Sequence, residues 1–124
     1  MDEPDGPHLA RDLPDLKVAI IGHTGRGNYG HWLDEAFDGV VGTQVVAVAD
    51  PDDAGRARVL AKTGASRGYA DYRELLDRER PDIAVVASRE IGDHHRVVLE
   101  VAARGSHVYV EKPVAASPAE VDEM

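Results

Sequence analysis

Two groups of residues in this chain have the types and spacing to do chemistry. The first is the run Gly22-His23-Thr24-Gly25-Arg26-Gly27-Asn28-Tyr29-Gly30, which follows directly on the apolar residues Val18-Ala19-Ile20-Ile21. Glycines placed after a strand permit a sharp turn and a close approach of the backbone to an anion. A helix that begins there adds free N–H groups and a partial positive charge. Such chemistry suits a pyrophosphate. The second group is His107-Val108-Tyr109-Val110-Glu111-Lys112-Pro113, an apolar run ending in Glu-Lys-Pro. A lysine at a strand end can hold a hydroxyl or a developing alkoxide through charge-assisted hydrogen bonds.

Two glycine registers compete. Gly25-x-Gly27-x-x-Gly30 matches the dinucleotide fingerprint by letter but starts four residues after the strand. Gly22-x-Thr24-x-x-Gly27 starts where the strand ends, as the mechanism requires, with threonine in its middle place. The second register is favoured, with Gly25 supplying backbone freedom beside Thr24 and Arg26 close enough to contact a phosphate. The cofactor-binding set is then Gly22, His23, Thr24, Gly25, Arg26 and Gly27. Asp50 closes the apolar run Gln44–Ala49, 20 residues after Gly30 and 23 after Gly27. An acid at that place bonds the adenosine ribose hydroxyls of a dinucleotide. Asp50-Pro51 also fits a helix N-cap, and the two roles are not separable by sequence.

These residues need a scaffold. Leu16–Ile21, Gln44–Ala49, Asp82–Ala87 and His107–Val110 read as four buried strands. Helices are expected over Tyr29–Asp38, with Trp32, Leu33, Ala36 and Phe37 on one face, and over Asp52–Thr63, with Ala54, Ala57, Leu60 and Ala61 inward. Asp71-x-x-Glu74 has capping-box spacing and opens a short helix stopped by Pro81. Asp93 caps a helix carrying Val97, Val98, Val101 and Ala102. Ser117-Pro118-x-Glu120 starts another. Strands alternating with helices give an α/β fold, a Rossmann-type doubly wound parallel sheet of strand order 3-2-1-4. It is incomplete, because a full sheet adds two strands beyond the fourth.

Composition bounds the rest. With 124 residues the chain is one domain. Residues 16–124 form it, behind a disordered lead-in at 1–15 that holds three prolines and five acids. The net charge of −9 excludes nucleic acid and an anionic membrane as partners. No apolar run reaches the roughly 18 residues of a membrane span. The absence of cysteine removes thiolate chemistry and accords with a cytoplasmic location. His8, His23 and His31 have no metal-ligand spacing, and no metal is expected.

At Glu111-Lys112-Pro113 the chain resembles the N-terminal half of the Gfo/Idh/MocA oxidoreductases. Matching segments are Val18–Gly22 with its glycine turn, Val46–Asp50, Tyr69–Tyr72, Ile83–Ala87, His94 and Gly105–Pro113. The resemblance covers residues 16–124. It implies that Lys112 lies beside the nicotinamide ribose and the substrate, with Glu111 next to it, and that the Lys112–Pro113 bond is cis. It gives His94, counted back from Gly105, precedence over His95. Family members carry Thr-Pro or Ser-Pro after the third strand, where this chain has Ser88-Arg89; Ser88 still falls beside the cofactor. They also have a second α/β domain that supplies most substrate contacts, a catalytic aspartate-histidine pair and a possible route to oligomers. None of it falls within these residues, so the chain alone is expected to be inactive.

The reading is a nucleotide-binding domain whose cofactor is NAD and whose substrate is the secondary alcohol of a small polyol, a sugar or cyclitol. NADP is disfavoured because Asp50, Asp52 and Asp53 cluster at the ribose end while Arg56 and Arg58 lie a turn or more away. Two alternatives stand beside it: an S-adenosylmethionine-dependent methyltransferase fragment, which needs no Glu-Lys-Pro, and a non-enzymatic nucleotide-binding or sensing module.

Overall fold

A computed structural model describes residues 13–124. The lead-in expected at 1–15 lies outside these residues except for Leu13–Asp15, which are exposed and carry neither helix nor strand. Five parallel strands form one sheet: β1 (Leu16–Ile21), β2 (Thr43–Ala49), β3 (Arg67–Tyr69), β4 (Ile83–Val86) and β5 (His107–Val110). Their order is β3-β2-β1-β4-β5. The Rossmann order 3-2-1-4 recurs, extended by one strand, but with other strands in the third and fourth places than expected: Ile83–Val86 pairs with β1 and not with β2.

The third place belongs to Arg67–Tyr69, which the sequence reading left outside the strands. It pairs with Ala47–Ala49 through backbone bonds and has no apolar run to announce it. Ile83–Val86 is therefore fourth and His107–Val110 fifth. The switch point lies between β1 and β4, and Lys112 stands one strand beyond it.

Strand alternation divides the core. Ala19, Ile21, Ala47, Ala49, Ala84 and Val86 face α2 (Tyr72–Glu79) and α3 (Ile91–Ala103) through Leu75, Leu76, Val97, Val98 and Val101. Val18, Ile20, Val48 and Val85 face α1 (Asp53–Thr63) and the segment after β1, through Val59 and Tyr29. The β1–β2 register slips between Val18 and Ala19, leaving Val46 as an extra residue in β2.

Three helical expectations change. Residues 29–38 form turns and one short 3-10 segment, Leu33–Glu35, in place of an α-helix. The chain there takes positive φ at Asn28, Gly30 and Trp32. A left-handed residue in every second position cannot propagate i to i−4 bonds, so apolar spacing is overridden. α1 buries Gly55 and Val59, four residues apart, while Ala54, Ala57 and Ala61 face solvent. The branched Val59 fills the core, and alanine costs nothing in water as a helix former. α3 begins at Ile91 with Glu90 as its N-cap, which places Asp93 inside the first turn, and its Ala102 is exposed. α4 (Pro118–Glu123) matches its expected cap: Ser117 Oγ accepts from Glu120 N–H and Glu120 Oε1 accepts from Ala116 N–H.

Candidate cofactor site

All five strands run the same way, so their carboxyl ends deliver Gly22, Asp50, Ala87-Ser88 and Glu111 to one edge of the sheet. Backbone bonds carry the ladders one step past the strands: Gly22 N–H to Ala49 O at 3.0 Å, Ala87 N–H to Ile21 O at 2.8 Å and Glu111 N–H to Val86 O at 2.9 Å.

Asp50 is fully buried. Its carboxylate accepts from the Thr24 hydroxyl at 2.6 Å, the Tyr29 hydroxyl at 2.8 Å, Asp52 N–H at 2.9 Å and Thr24 N–H at 3.1 Å. Burial works to raise its pKa, and these bonds outweigh it, so the group sits below the usual carboxylate range. Burial, with the neighbouring Asp50, pushes the Tyr29 phenol far above its ordinary value. A carboxylate has about four acceptor sites, and all are occupied here by the glycine turn and the start of α1. Asp50 thus faces inward, away from the open position that a ribose acceptor needs.

Outward at this strand end are Asp52, Asp53 and Arg56. The N-cap of α1 is Asp52, through Gly55 N–H at 2.7 Å. The Arg56 guanidinium lies against the strand end itself, donating to Asp50 O at 2.7 Å and to Asp53 Oδ1 at 2.7 Å. Helical winding brings it closer than sequence distance suggests.

Most N–H groups of the glycine turn point inward. Thr24 N–H bonds Asp50, Gly25 N–H bonds Asn28 Oδ1 at 3.0 Å, and Arg26 and Asn28 N–H both bond His23 O. His31 N–H bonds Glu111. With no helix behind the turn, the expected helix N-terminus does not exist. Among the described residues, Gly27 and Tyr29 N–H make no bond.

The turn docks on the β4–α3 loop. Ser88 Oγ donates to Arg26 O at 2.8 Å, and Arg89 N–H donates to Gly27 O at 3.0 Å. The Arg26 side chain reaches across to Asp93, with Nε–Oδ2 at 3.0 Å and Nη2–Oδ1 at 3.3 Å. Burial raises the Asp93 pKa, and the Arg26 bond and charge bring it below the usual range.

Beneath this strap lies a cleft of ≈ 350 Å³. Its floor is Ile21, Val86 and Val97, and Tyr72, Arg73 and Arg96 form one wall. Arg73 stacks on the Tyr72 ring at 4.8 Å. Gly22, His23, Ser88 and His94 line the side toward the turn. An apolar floor with a flat aromatic and cationic wall fits a planar base. Tyr72, Arg73 and Arg96 were missed by sequence reasoning, because only the fold brings α2 and α3 over the ends of β1 and β4.

His94 is buried, with Nε2 at 2.6 Å from Ser88 O and Nδ1 at 2.7 Å from Pro113 O. It ties the β4–α3 loop to the turn after β5, whereas His95 faces Glu123 at 2.8 Å. The Lys112–Pro113 bond is cis. Lys112 is exposed. Glu111 is buried and bonded to His31 and to Lys112 N–H. The structure therefore gathers Gly22 to Gly27, Ser88, His94, Glu111 and Lys112 on one sheet edge. Asp50 sits directly beneath.

The family model for the oxidoreductase family with an NAD-binding Rossmann fold (Gfo/Idh/MocA) matches residues 16–124. The chain belongs to this family. It is the family's NAD-binding domain, which decides between the dinucleotide and S-adenosylmethionine readings of the turn. A glycosyl hydrolase family 109 protein 2 of Akkermansia muciniphila is 32% identical over 122 residues, covering 90% of this chain and 25% of that protein. A myo-inositol 2-dehydrogenase of Thermotoga maritima is 28% identical over 104 residues, covering 84% of this chain and 31% of that one. The crystal structure of an NAD binding oxidoreductase from Klebsiella pneumoniae superposes with a TM-score of 0.72 at 30% identity, covering 88% of this chain and 30% of the other. The chain thus spans about a quarter to a third of the length of these relatives. No helix among the described residues is long and apolar enough to cross a membrane.

Proposed function

We propose that residues 16–124 bind NAD as the cofactor domain of an oxidoreductase acting on a secondary alcohol of a sugar or cyclitol. The observation that carries this reading is the junction of the cleft and the Glu111-Lys112-Pro113 end on one sheet edge. In it, Tyr72, Arg73 and Arg96 take the adenosine half. Gly27 and Tyr29 N–H groups, with Arg26, take the pyrophosphate. Ser88 lies alongside, and Lys112 serves the reacting end by holding the substrate oxygen through its ammonium. When bound, the dinucleotide supplies the hydride acceptor. The substrate class is supported by relatives whose names denote an inositol dehydrogenase and glycosyl hydrolases, enzymes of polyhydroxylated rings. The absence of cysteine accords with a cytoplasmic setting.

NAD is preferred to NADP on charge. Three carboxylates, Asp50, Asp52 and Asp53, surround the end of β2 against one guanidinium, and Arg56 is already engaged by Asp53 and by the Asp50 carbonyl. A 2′-phosphate brought there meets net repulsion.

The test is calorimetric titration with NAD⁺ and NADP⁺, followed by myo-inositol and a sugar panel added to the NAD⁺ complex. NADP⁺ is expected to bind more weakly by roughly tenfold, the effect of one like-charge contact worth ~1.4 kcal/mol. A polyol response of the NAD⁺ complex supports the substrate class, and equal or tighter NADP⁺ binding removes the cofactor preference alone. Failure of NAD⁺ to bind removes the whole reading.

A further inference from the structure

The ring of His94 is fully buried and meets two backbone carbonyls. Nε2 lies 2.6 Å from Ser88 O, and Nδ1 lies 2.7 Å from Pro113 O. A carbonyl oxygen only accepts, so each contact at that distance needs an N–H on the ring. A neutral imidazole carries one N–H. Either neutral tautomer would set a bare nitrogen lone pair against a carbonyl oxygen. Turning the ring over would put carbon in place of each nitrogen, and C–H···O contacts are longer, about 3.3–3.6 Å. The imidazolium, with a proton on both nitrogens, is the form that satisfies both oxygens.

Burial opposes that charge, and two charge-assisted bonds favour it. Among the described residues no carboxylate bonds to the ring. The carboxylates around it are engaged with other cations. Asp93, beside it in α3, pairs with Arg26 and Arg96, and Glu90 in the preceding loop faces Arg26. Glu100 takes Arg73 of α2, and Glu111 at the end of β5 takes His31. His95 turns away to Glu123. His23 and Asp71 line the same cleft, and Arg89 and Lys112 lie in the two segments that the ring joins.

Those segments belong to the ligand edge. The Ser88 hydroxyl donates to Arg26 O of the glycine turn at 2.8 Å and accepts Glu90 N–H at 3.1 Å. Pro113 follows Lys112 directly. One side chain therefore couples the glycine turn, the β4–α3 loop and the end of β5. We propose that His94 is a positioning residue that works as a buried imidazolium, holding the Lys112 end of the sheet edge against the Ser88 loop for a dinucleotide that spans both. The role rests on the cofactor reading above. Loss of one ring proton leaves a lone pair facing a carbonyl and releases one of the two segments. Ser88 is buried while Pro113 lies in an exposed turn, so the Pro113 side lets go and Lys112 moves with it. The site is thus set while the ring is charged, and loosens as pH rises through the titration of the ring.

NMR of the 124-residue chain with ¹⁵N-labelled histidine reads the charge directly, with the His94 ring assigned through its own backbone so that no variant is needed. At about pH 6.5, the ordinary histidine midpoint, both ring nitrogens should carry protons, and both protons should exchange slowly with water. One protonated and one bare nitrogen there overturns the inference. Calorimetry then asks whether the charge serves the cofactor. From about pH 6 to about pH 9, NAD⁺ affinity should fall about three- to tenfold in step with the ring, the effect of losing a pre-set segment. AMP, which fills the adenosine half alone, should change by less than about twofold. His94→Gln has a single donor group and should bind NAD⁺ at every pH with the wild type's high-pH affinity. An NAD⁺ affinity that does not follow the ring overturns the inference and leaves the cofactor reading intact. Two ring protons in a chain that binds no dinucleotide overturns the cofactor reading, and with it the role assigned to the charge.

Discussion

Thr24 closes over Asp50 with both of its donors: its hydroxyl lies 2.6 Å from Oδ2 and its backbone N–H lies 3.1 Å from Oδ1. The middle residue of the favoured glycine register is thereby part of a buried polar knot that also includes Tyr29 and the first residues before α1. An inward carboxylate ties the turn to the start of α1, and leaves the exposed Asp52 and Asp53 and the half-buried Arg56 as the outward groups at this strand end.

The knot is expected to show in stability first. Asp50→Asn keeps the shape but turns an amide N–H₂ toward hydroxyls that were donating, and should cost about 2–4 kcal/mol. Thr24→Val removes one hydroxyl donor to a buried charge, for about 1.5–3 kcal/mol. Urea unfolding measures both. An Asp50 that pointed outward as an open acceptor would instead lose cofactor affinity with little change in the unfolding midpoint.

Gly55→Ala separates helix propensity from packing. Alanine in a helix interior is better than glycine by roughly 0.8–1 kcal/mol. A Cβ at Gly55 would lie 1.9 Å from Thr24 Oγ1 and 3.0 Å from Asp50 Oδ2. Overpacking of this kind costs about 1–3 kcal/mol, so the variant should unfold at lower urea than the wild type. A midpoint raised by the substitution would mean that α1 can back away from the turn.

Acid should unfold this domain through three buried carboxylates. Asp50 and Glu111 are held low by the bonds described above, and Glu79 by its bonds to Arg67 and then Tyr69 against the effect of burial. The unfolded chain takes up protons near the ordinary values, about 3.9 for Asp and 4.3 for Glu. The folded chain does so only at lower pH. Between those values the unfolded state binds more protons, so stability is complete above about pH 5 and falls as pH drops through the folded values. Urea midpoints from pH 7 down to 3 check the sign. Asp50→Asn and Glu111→Gln should each flatten the acid limb, because each removes one group whose folded and unfolded pKa values differ.

Arg26 is half-exposed and pairs with Asp93 across the mouth of the cleft. An exposed ion pair contributes little to stability, so Asp93→Asn should leave the unfolding midpoint almost unchanged. It should free the guanidinium for a phosphate and tighten NAD⁺ by a few-fold, whereas Arg26→Ala should weaken NAD⁺, and both effects should shrink in high salt. Calorimetry at two ionic strengths gives both numbers. Weaker NAD⁺ binding by Asp93→Asn would assign the carboxylate, and not the guanidinium, to the ligand.

Much of the scaffold was legible because it is written locally. β1, β2, β4 and β5 are short apolar runs, and the caps at Asp71 and Ser117 lie next to the helices they start. What could not be read depends on distance. Residues 29–38 have helical apolar spacing, yet Gly30 is drawn onto Ala87 and Glu111, and the backbone bends to allow it. β3 is three residues with no apolar signature, defined by its neighbour. Asp50 faces inward because its partners, Thr24 and Tyr29, come from another segment. Lys112 and Ser88 were legible as neighbours of the site. The cleft wall of Tyr72, Arg73 and Arg96 was not, because nothing in α2 or α3 alone says that they share an edge with the glycine turn.

The extra residue in β2 has a consequence for the whole ligand edge. Up to Val45 the strand is in step with β1, and from Ala47 it is in step again but one residue late. Val46 and Ala47 both fall on the α2–α3 face, after which Val48 and Asp50 fall on the α1 face. Side chains along a strand alternate with a period of two, and a bulge inverts the parity of everything downstream. Val46 is thus a phase shifter. Were the strand to run through Val46 in unbroken alternation, Asp50 would fall on the side of Tyr72 and Val97, away from Thr24 and Tyr29. One unpaired residue in the middle of a strand decides which half of the molecule the acid at its end belongs to.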